Sequence, residues 1–499
     1  MKRVGLVALP GVVLLTLVLA IGGLACAGSA GTSVFSQITE LESKRSLGEG
    51  RLALFLASPD EAVAVRAALA IGRTKQSAGA ELLVTHLSDS RVAVRAMSVY
   101  GLGLIADPGH AAGVVAAASD SEGAVRVAAV DAIARYMAAH ALSAAEQSEA
   151  QSTLERALST DGDPVIRARS ATALVEFRDA ASAQEAASAL IKAFQSDPDA
   201  GVRWHAMWCI YRGYALRVNR HVVEHALRDR SELIRIEAVR AMGRYKDSSL
   251  VPLVKPLLND PSWRVQEQAA EAIRALTGKP PTEHFTAIPA YVHVPPAQPD
   301  PLAALPALPR THAGQKQSAP SVDDADFEVK LDPSTVARFT GPAAGPHPRV
   351  RIVTTKGNLY VVLYPEWAPL TVANFLNLAD RGYYDGNRWF RIVPDFVVQT
   401  GDPNDNGEGD AGYMIGAEEN PLEQRSYIIS MGLNYDDKTN TPIRDSAGTQ
   451  YYVTLSPQLH LDRDFTVYGE VTGGIDVLGR LVESDRVVKI ERIEDATVK

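Results

Sequence analysis

A short pattern recurs through the first half of the chain: an Asp, four further residues, a Val or Ile, and then an Arg. Successive Arg positions lie 29, 31, 41, 36 and 32 residues apart, and a Gln replaces the Arg 31 residues after the last of them. Repeats of this period are typical of stacked helical hairpins. The instances are Asp60 with Val65-Arg66, Asp89 with Val94-Arg95, Asp120 with Val125-Arg126, Asp161 with Ile166-Arg167, Asp197 with Val202-Arg203, Asp229 with Ile234-Arg235 and Asp260 with Val265-Gln266.

The last repeat shows how one unit is expected to fold. Asp260 suits a helix N-cap, Pro261 the first helical position and Gly278 the position just after the helix. Between them, apolar residues recur on one helical face. A hairpin this small cannot bury that face alone, so the units must stack. The face is formed by Val265, Ala269, Ala272, Ile273 and Leu276.

Each Arg follows a buried aliphatic residue and is expected to reach the Asp of a neighbouring unit, which would form a ladder of ion pairs along the stack. Gln266 has no following unit to bridge, which suits a terminal repeat. These features resemble HEAT repeats over residues 51–278, and the resemblance implies an all-α solenoid. Solenoid surfaces commonly bind proteins, so protein clients are expected on this array.

The N-terminus has the pattern of a bacterial export signal. Lys2 and Arg3 precede an apolar stretch that ends in Gly23-Leu24-Ala25-Cys26. Residues 1–26 are therefore interpreted as a signal or lipoprotein-like peptide. Lipidation of Cys26 would anchor the chain to a membrane, whereas cleavage after Ala27 or Ala30 would release it, and a retained single-pass anchor is a third alternative. Each of these alternatives predicts an exported protein in the periplasm or cell envelope.

Composition excludes some partners and cofactors. The net charge of −9 provides no general attraction to nucleic acid, so no nucleic-acid partner is expected. Besides Cys26 the chain has only Cys209, which is interpreted as a small buried apolar residue on a helix. His221 and His225 with Glu224 form an H-x-x-E-H pattern, but an outer helix with exposed His side chains is favoured over a zinc site. No metal or cofactor is expected.

Three further segments complete the predicted domain organisation. Residues 27–50 lead into the array, and residues 279–348 are expected to form an extended linker because they hold fourteen of the 29 prolines. From residue 349 to 499, alternating apolar stretches between turn signals predict many strands. Helices are expected from Pro369 to about Asp380 and from Ile475 to Leu481. Together these elements suggest a closed antiparallel barrel capped at its ends.

The stretch Trp389 to Pro403 is the strongest candidate for a functional site. A continuous strand there would place Arg391, Val397 and Gln399 on one face, with Phe396 opposite. An arginine beside apolar residues and an amide is unusual unless the arginine has a function or its aliphatic stem covers the surface while its head reaches water. The residues alone leave both alternatives open.

Several blocks, in order, resemble the cyclophilin family across residues 350–490. They are Ala368 to Phe375, Gly382 to Gly386, Trp389 to Pro403, Gly448 to Tyr452, His460 to Asp462 and Thr466 to Gly469. The resemblance implies an eight-stranded barrel with two helices and peptidyl-prolyl cis-trans isomerase activity on proline-containing polypeptides. The chain as a whole is then multidomain, with the solenoid followed by this mostly-β barrel.

The resemblance also implies roles for individual residues. The catalytic arginine of the family matches Arg391. Because the same match places Phe396 in the pocket with Arg391, the strand must turn or bulge at Pro394-Asp395. Residues that differ from the usual family residue are Trp389, Phe390, Val397, Tyr452, His460 and Phe465. The substrate-binding residues are expected to be Phe396, Val397, Gln399, Gln450, Tyr452, His460, Leu461 and Phe465.

Two functions follow as hypotheses. In the first, the chain is an exported isomerase that assists the folding of envelope proteins, with the array holding clients. In the second, the barrel recognises proline without catalysis and the chain is an adaptor or scaffold.

Overall fold

The computed structural model describes residues 33–281, 347–436, 438, 439 and 441–493. Cys26, residues 1–26 and nearly all of the predicted linker lie outside these ranges. The described chain forms two compact units, and the second of them combines the helix Val34–Ser43 with the C-terminal part of the chain. Within the described ranges, no helix has the length and apolar character required to cross a membrane.

The first unit is built from helices, as predicted from the repeat. Those that carry the Asp-Arg pattern pack in succession against one another, and the helices between them pack against these. The helices of the chain are α1 Val34–Ser43, α2 Arg51–Leu56, α3 Glu61–Thr74, α4 Ser77–Val84, α5 Val92–Ile105, α6 Ala111–Ala117, α7 Gly123–Ala138, α8 Ala144–Thr160, α9 Pro164–Ala173, α10 Ala183–Ser196, α11 Ala200–Cys209, α12 Arg220–Ala226, α13 Glu232–Arg244, α14 Val251–Val254, α15 Trp263–Thr277, α16 Pro369–Asp380 and α17 Ile475–Leu478.

The aliphatic residue before the repeated Arg or Gln lies in the core of every repeat except the first, where Val65 is only half-buried. Val94, Ile166, Val202, Ile234 and Val265 are all fully buried. Each therefore contributes about 1.5 to 3 kcal/mol through removal of its side chain from water. Cys209 is also buried, and burial raises the pKa of its thiol, as expected for an apolar position on α11.

The predicted ladder of ion pairs is present. Each ladder Arg donates to the carboxylate of the next repeat's Asp and, through Nη1, to the backbone carbonyl of its own repeat's Asp six residues earlier. One side chain thus fixes its own turn and joins it to the neighbouring turn. The pairs, with their N···O distances, are Arg95–Asp120 at 3.2 Å, Arg126–Asp161 at 2.8 Å, Arg167–Asp197 at 2.8 Å and Arg235–Asp260 at 2.8 Å.

Three repeats depart from the simple expectation. In the first, among the described residues, the carboxylate of Asp89 accepts from Arg91 and not from Arg66. In the part of the chain that the structure describes, Arg203 donates only to the carbonyls of Asp197 and Pro198, so the ladder is interrupted between α11 and α13. A π-helical turn, Ile210–Tyr214, follows α11 there. The last helix begins later than predicted, because Asp260 accepts from the backbone of Ser262 and from Arg235 instead of capping a helix that starts at Pro261.

The second unit contains an eight-stranded antiparallel sheet with the order β3-β4-β6-β5-β7-β2-β1-β8. The backbone of Trp389 donates to Asp485, and Gly386 and Asn387 exchange hydrogen bonds with Val487, so the two ends of the sheet meet and close the predicted barrel. The strands are β1 Arg349–Thr354, β2 Gly357–Leu363, β3 Arg391–Val393, β4 Val397–Thr400, β5 Ile428–Met431, β6 Tyr451–Thr454, β7 Val467–Gly473 and β8 Val487–Ile493.

The barrel is filled by aliphatic and aromatic side chains. Phe375 from α16 contacts the rings of Tyr384, Tyr451 and Tyr468 at centroid distances of 5.4 to 5.5 Å. These buried rings fix the position of α16 against the inside of the sheet, and α1 contacts α16 within the same unit. The boundaries of α16 agree with the prediction. β8 was not predicted, because apolar and polar residues do not alternate clearly along it.

Candidate active site

The alternation of β4 and β6 divides their side chains between the core and the site. Val398, Tyr451 and Val453 belong to the main core. Their sequence neighbours point to the other side, where Gln399 lies directly between Arg391 on β3 and Tyr452 on β6. Because directly paired residues share a face of a sheet, these three side chains form one row across three strands. The predicted grouping of Arg391, Val397 and Gln399 on one face is therefore confirmed.

A tight turn brings Phe396 to the same side, so the expectation of one continuous strand from Arg391 to Gln399 is wrong, whereas the turn required at Pro394-Asp395 by the family resemblance is present. β3 and β4 form a hairpin, and Asp395 in its turn has φ 58°, a left-handed conformation that Asp tolerates better than most residues. The Asp395 carbonyl accepts from Ser456 and Gln458, and Leu455 donates to the Phe396 carbonyl at 2.8 Å. These bonds hold the turn, and with it Phe396, beside the row.

Arg391 is solvent-exposed, but two contacts restrict the position of its side chain. Its Nη1 donates to Oε1 of Gln399 at 3.2 Å, and its guanidinium carbon lies 5.4 Å from the centre of the Phe396 ring. Nε2 of Gln399 donates to Oε1 of Gln450 at 3.1 Å. The amide nitrogen of Gln450 in turn donates to the carbonyls of Gly407 and Gly409. A chain of amides therefore orients the cation.

Beside the cation lies a small apolar cluster that is separate from the barrel core. Its buried members are Val397, Tyr452, Leu461 and Phe465. The rings of Tyr452 and Phe465 meet edge to face at 5.8 Å, and burial raises the pKa of the Tyr452 phenol. Phe396 packs against the cluster, and its other face stacks on the exposed His460 ring at 5.6 Å. The result is an apolar surface with a cation and amides at its edge.

The structure brings together all the predicted barrel residues: Arg391, Phe396, Val397, Gln399, Gln450, Tyr452, His460, Leu461 and Phe465. Sequence reasoning missed Leu433, which packs against the apolar cluster, and the carbonyls of Gly407 and Gly409. The sequence did hold a signal for Leu433, because an apolar residue two positions after β5 can reach the apolar cluster beside that strand. The backbone carbonyls leave no side-chain signal.

The two His residues of the H-x-x-E-H segment are exposed. Nδ1 of His221 lies 2.7 Å from Oε2 of Glu224, and the His221 side chain is 76% exposed on the short helix α12. Among the described residues, no group of three or more His, Cys, Asp or Glu converges as a metal site.

An antiparallel barrel that carries an apolar cluster, with one oriented cation and two amide side chains beside it, is the arrangement found in prolyl isomerases. The chain matches the family model described as cyclophilin type peptidyl-prolyl cis-trans isomerase over residues 349–498. Peptidyl-prolyl cis-trans isomerase B of Bacillus subtilis is 39% identical over 134 residues, which are 26% of this chain and 87% of that protein. Peptidyl-prolyl cis-trans isomerase-like 1 of Homo sapiens is 35% identical over 134 residues, covering 27% of this chain and 79% of that protein.

The chain therefore belongs to the cyclophilin-type peptidyl-prolyl cis-trans isomerase family, and its C-terminal domain is an isomerase of that type. Its helical part matches HEAT repeats over residues 49–134, 131–210 and 220–287. A solved cyclophilin-type isomerase from Cryptosporidium parvum aligns with 30% of this chain and 99% of its own, with 25% identity and a TM-score of 0.28.

Proposed function

We propose that this protein is an exported prolyl isomerase that assists the folding of envelope proteins, with Arg391 as its catalytic residue and the HEAT array as its client-binding surface. The observation that carries the catalytic part is the placement of the Arg391 guanidinium at the edge of an apolar cluster, held there by Gln399. A proline ring on that cluster would have its nitrogen within reach of the cation.

The chemistry requires no covalent intermediate. Rotation about a peptide bond has a barrier of about 18 to 20 kcal/mol because the nitrogen lone pair is delocalised. As the bond twists, the lone pair becomes localised on the prolyl nitrogen. Arg391 donates a hydrogen bond to that nitrogen, which stabilises the twisted state more than the planar one and thus lowers the barrier.

The other side chains position the substrate. The proline ring lies against Phe396, Val397, Tyr452, Leu461 and Phe465, and burial of this ring supplies binding energy. Gln399 and Gln450 hold the amide next to the proline through their hydrogen-bonding groups. His460 stacks on the outer face of Phe396 and forms the rim of the cleft.

The client-binding role of the array rests on its architecture. Stacked repeats present an extended surface that contacts long segments of another chain, which suits a folding factor acting on incompletely folded proteins. The export step rests on the pattern of residues 1–26, with Cys26 as the candidate lipidation site.

Catalysis is tested by the rate of cis-to-trans conversion of an Ala-Pro peptide with the full-length chain and with Arg391→Ala. We expect the variant to lose about a hundredfold or more in kcat/KM, the effect of removing one transition-state donor. A variant as active as the unchanged protein would overturn the role of Arg391. If neither protein accelerated the reaction, a proline-recognising adaptor would be the better description.

Export is tested separately. Mass spectrometry of the mature protein from a bacterial host is expected to show an N-terminus at Cys26 with attached lipid, or cleavage after Ala27 or Ala30. An intact Met1 in a soluble cytoplasmic fraction would contradict export without affecting the assignment of the active site.

A further inference from the structure

Between β5 and β6, residues 434–436 and 441–443 pair as the two arms of a hairpin beside the active site. The backbone of Ile443 donates to Asn434 at 2.8 Å, Asp436 donates to Thr441 at 2.9 Å, and Tyr435 forms a bridge with Pro442. The Asn434 backbone also donates to the hydroxyl of Ser446. These bonds hold the two arms of the segment together, so its side chains have defined directions.

Ion pairs fix this hairpin to the wall of the cleft. Arg444 contacts the buried Glu419 at 2.6 Å and Asp464 at 3.4 Å. Asp464 immediately precedes Phe465 of the apolar cluster. The carboxylate of Asp445 accepts from the backbone of Ala417 at 2.8 Å. The hairpin is therefore attached to the loop that holds Phe465 and to a second neighbouring loop.

The first arm of the hairpin runs along the edge of the site. The backbone of Gly432 donates to Gln450, and a Cβ at Gly432 would lie 3.4 Å from Nε2 of Gln399. Leu433 packs against the apolar cluster. Side chains two residues apart on an extended segment share a side, so Tyr435 lies on the side of Leu433 that faces the cleft.

The environment of Tyr435 agrees with this placement. Burial of part of its ring raises the pKa of the phenol, and the nearby guanidinium of Arg391 opposes that rise. The side chain nevertheless remains 47% exposed, which leaves a large aromatic surface available next to the catalytic cation. Ile443 is similarly exposed at 46%. It pairs with Asn434, so it lies on the opposite side of the hairpin from Tyr435.

We propose that Tyr435 is a specificity-determining residue whose ring contacts an apolar side chain adjacent to the substrate proline. A planar ring fixed by the hairpin offers contact to leucine or phenylalanine but little to glycine, so the enzyme prefers prolines with an apolar neighbour. The inference rests on the proposed use of this cleft for the prolyl peptide.

The experiment compares kcat/KM of the full-length protein on peptides in which glycine, leucine or phenylalanine precedes or follows the proline. We expect leucine and phenylalanine to be preferred over glycine at one of these two positions. Tyr435→Ala is expected to reduce that preference about fivefold, the size of one aromatic contact, with little change for the glycine peptide. Tyr435→Phe should retain the preference because the ring remains.

Ile443→Ala is the matched control, since it removes an equally exposed apolar side chain from the other side of the same hairpin. It should leave the preference within about twofold of the unchanged protein, the lower end of such contact energies. An unchanged preference in Tyr435→Ala, or equal losses in Tyr435→Ala and Tyr435→Phe, would overturn the proposal. Activity on the glycine peptide reports separately whether the cleft acts as proposed.

Discussion

Arg391 and Gln399 face each other across the hairpin of β3 and β4, with Nη1 of the arginine donating to Oε1 of the glutamine at 3.2 Å. An exposed arginine has many rotamers of similar energy, and this bond selects one that lies over the Phe396 ring. The glutamine is itself held by Gln450. The cation is thereby pre-oriented before substrate arrives, and less conformational entropy is lost on binding.

Gln399→Leu should therefore reduce catalysis without removing the cation. We expect kcat/KM for an Ala-Pro peptide to fall about tenfold, because even a small displacement of a catalytic group from its productive position slows the reaction. In the double variant with Arg391→Ala, the loss should be smaller than the product of the two single losses, because the part of the glutamine's effect that acts through the arginine is already gone. Independent, multiplying losses in the double variant would argue against this positioning role.

The ladder of the HEAT array provides a stability prediction with an internal control. Arg167 and Asp197 are largely buried, with 12% and 7% of their side chains exposed. Removal of Arg167 leaves the carboxylate without its partner, so Arg167→Ala should lower the free energy of unfolding by about 3 kcal/mol. Urea unfolding of the full-length protein, followed by circular dichroism of its helices, measures the loss.

Arg203→Ala is the matched control for that measurement. Arg203 occupies the equivalent position and makes the same bonds to its own turn, but in the described ranges it lacks the bond to the next carboxylate. Its loss should cost about 1 kcal/mol, the contribution of ordinary hydrogen bonds. Equal losses in the two variants would mean that the bonds within each turn, and not the pairs between repeats, stabilise the array.

The periodic parts of both units could be predicted from sequence because each repeats a simple physical requirement. A buried Val or Ile followed by an Arg recurs in most of the helical repeats, and that regularity predicted the ladder. Arg203 carries the same pattern, yet among the described residues it makes no bond to Asp229. The break lies beside the π-helical turn Ile210–Tyr214, which follows α11 and has no simple sequence signature.

The active site was predictable to the extent that it consists of side chains on strands. The row through Arg391, Gln399 and Tyr452 follows from alternation and pairing. Phe396 does not follow from alternation, because its position depends on the left-handed Asp395 in the turn. The hairpin that carries Tyr435 was also missed, since its fold depends on backbone bonds and on the distant Glu419 and Asp464.

Phe465 tests how much the apolar character of the cleft matters. Its ring is buried and meets Tyr452 edge to face. Phe465→His would place a polar ring in that position, and the cost of burying it should lower the free energy of unfolding by about 1 to 3 kcal/mol. Because the Arg391 group is untouched, kcat/KM should stay within about threefold. A loss as large as that of Arg391→Ala would instead give Phe465 a direct part in catalysis.

Glu366, in the loop between β2 and α16, predicts a pH dependence of stability. Burial raises the pKa of its carboxyl from 4.5 to about 7, and its Oε2 has no hydrogen-bond partner in the described part of the chain. The other carboxyl oxygen of Glu366, Oε1, lies 3.9 Å from Nδ1 of His347, which is also titratable. A raised carboxyl pKa means that the folded protein disfavours the ionised form.

The sign of the effect follows from linkage. Well below pH 4.5 the carboxyl is protonated in both the folded and the unfolded chain, and the penalty is absent; as pH rises towards 7, ionisation in the unfolded chain costs the folded state stability. Glu366→Gln removes this loss, so its advantage should grow from near zero at about pH 3 to about 3 kcal/mol at about pH 8. Calorimetric unfolding of the full-length protein across this range measures it. A pH-independent difference for Glu366→Gln would contradict burial of the carboxyl as the cause of its raised pKa.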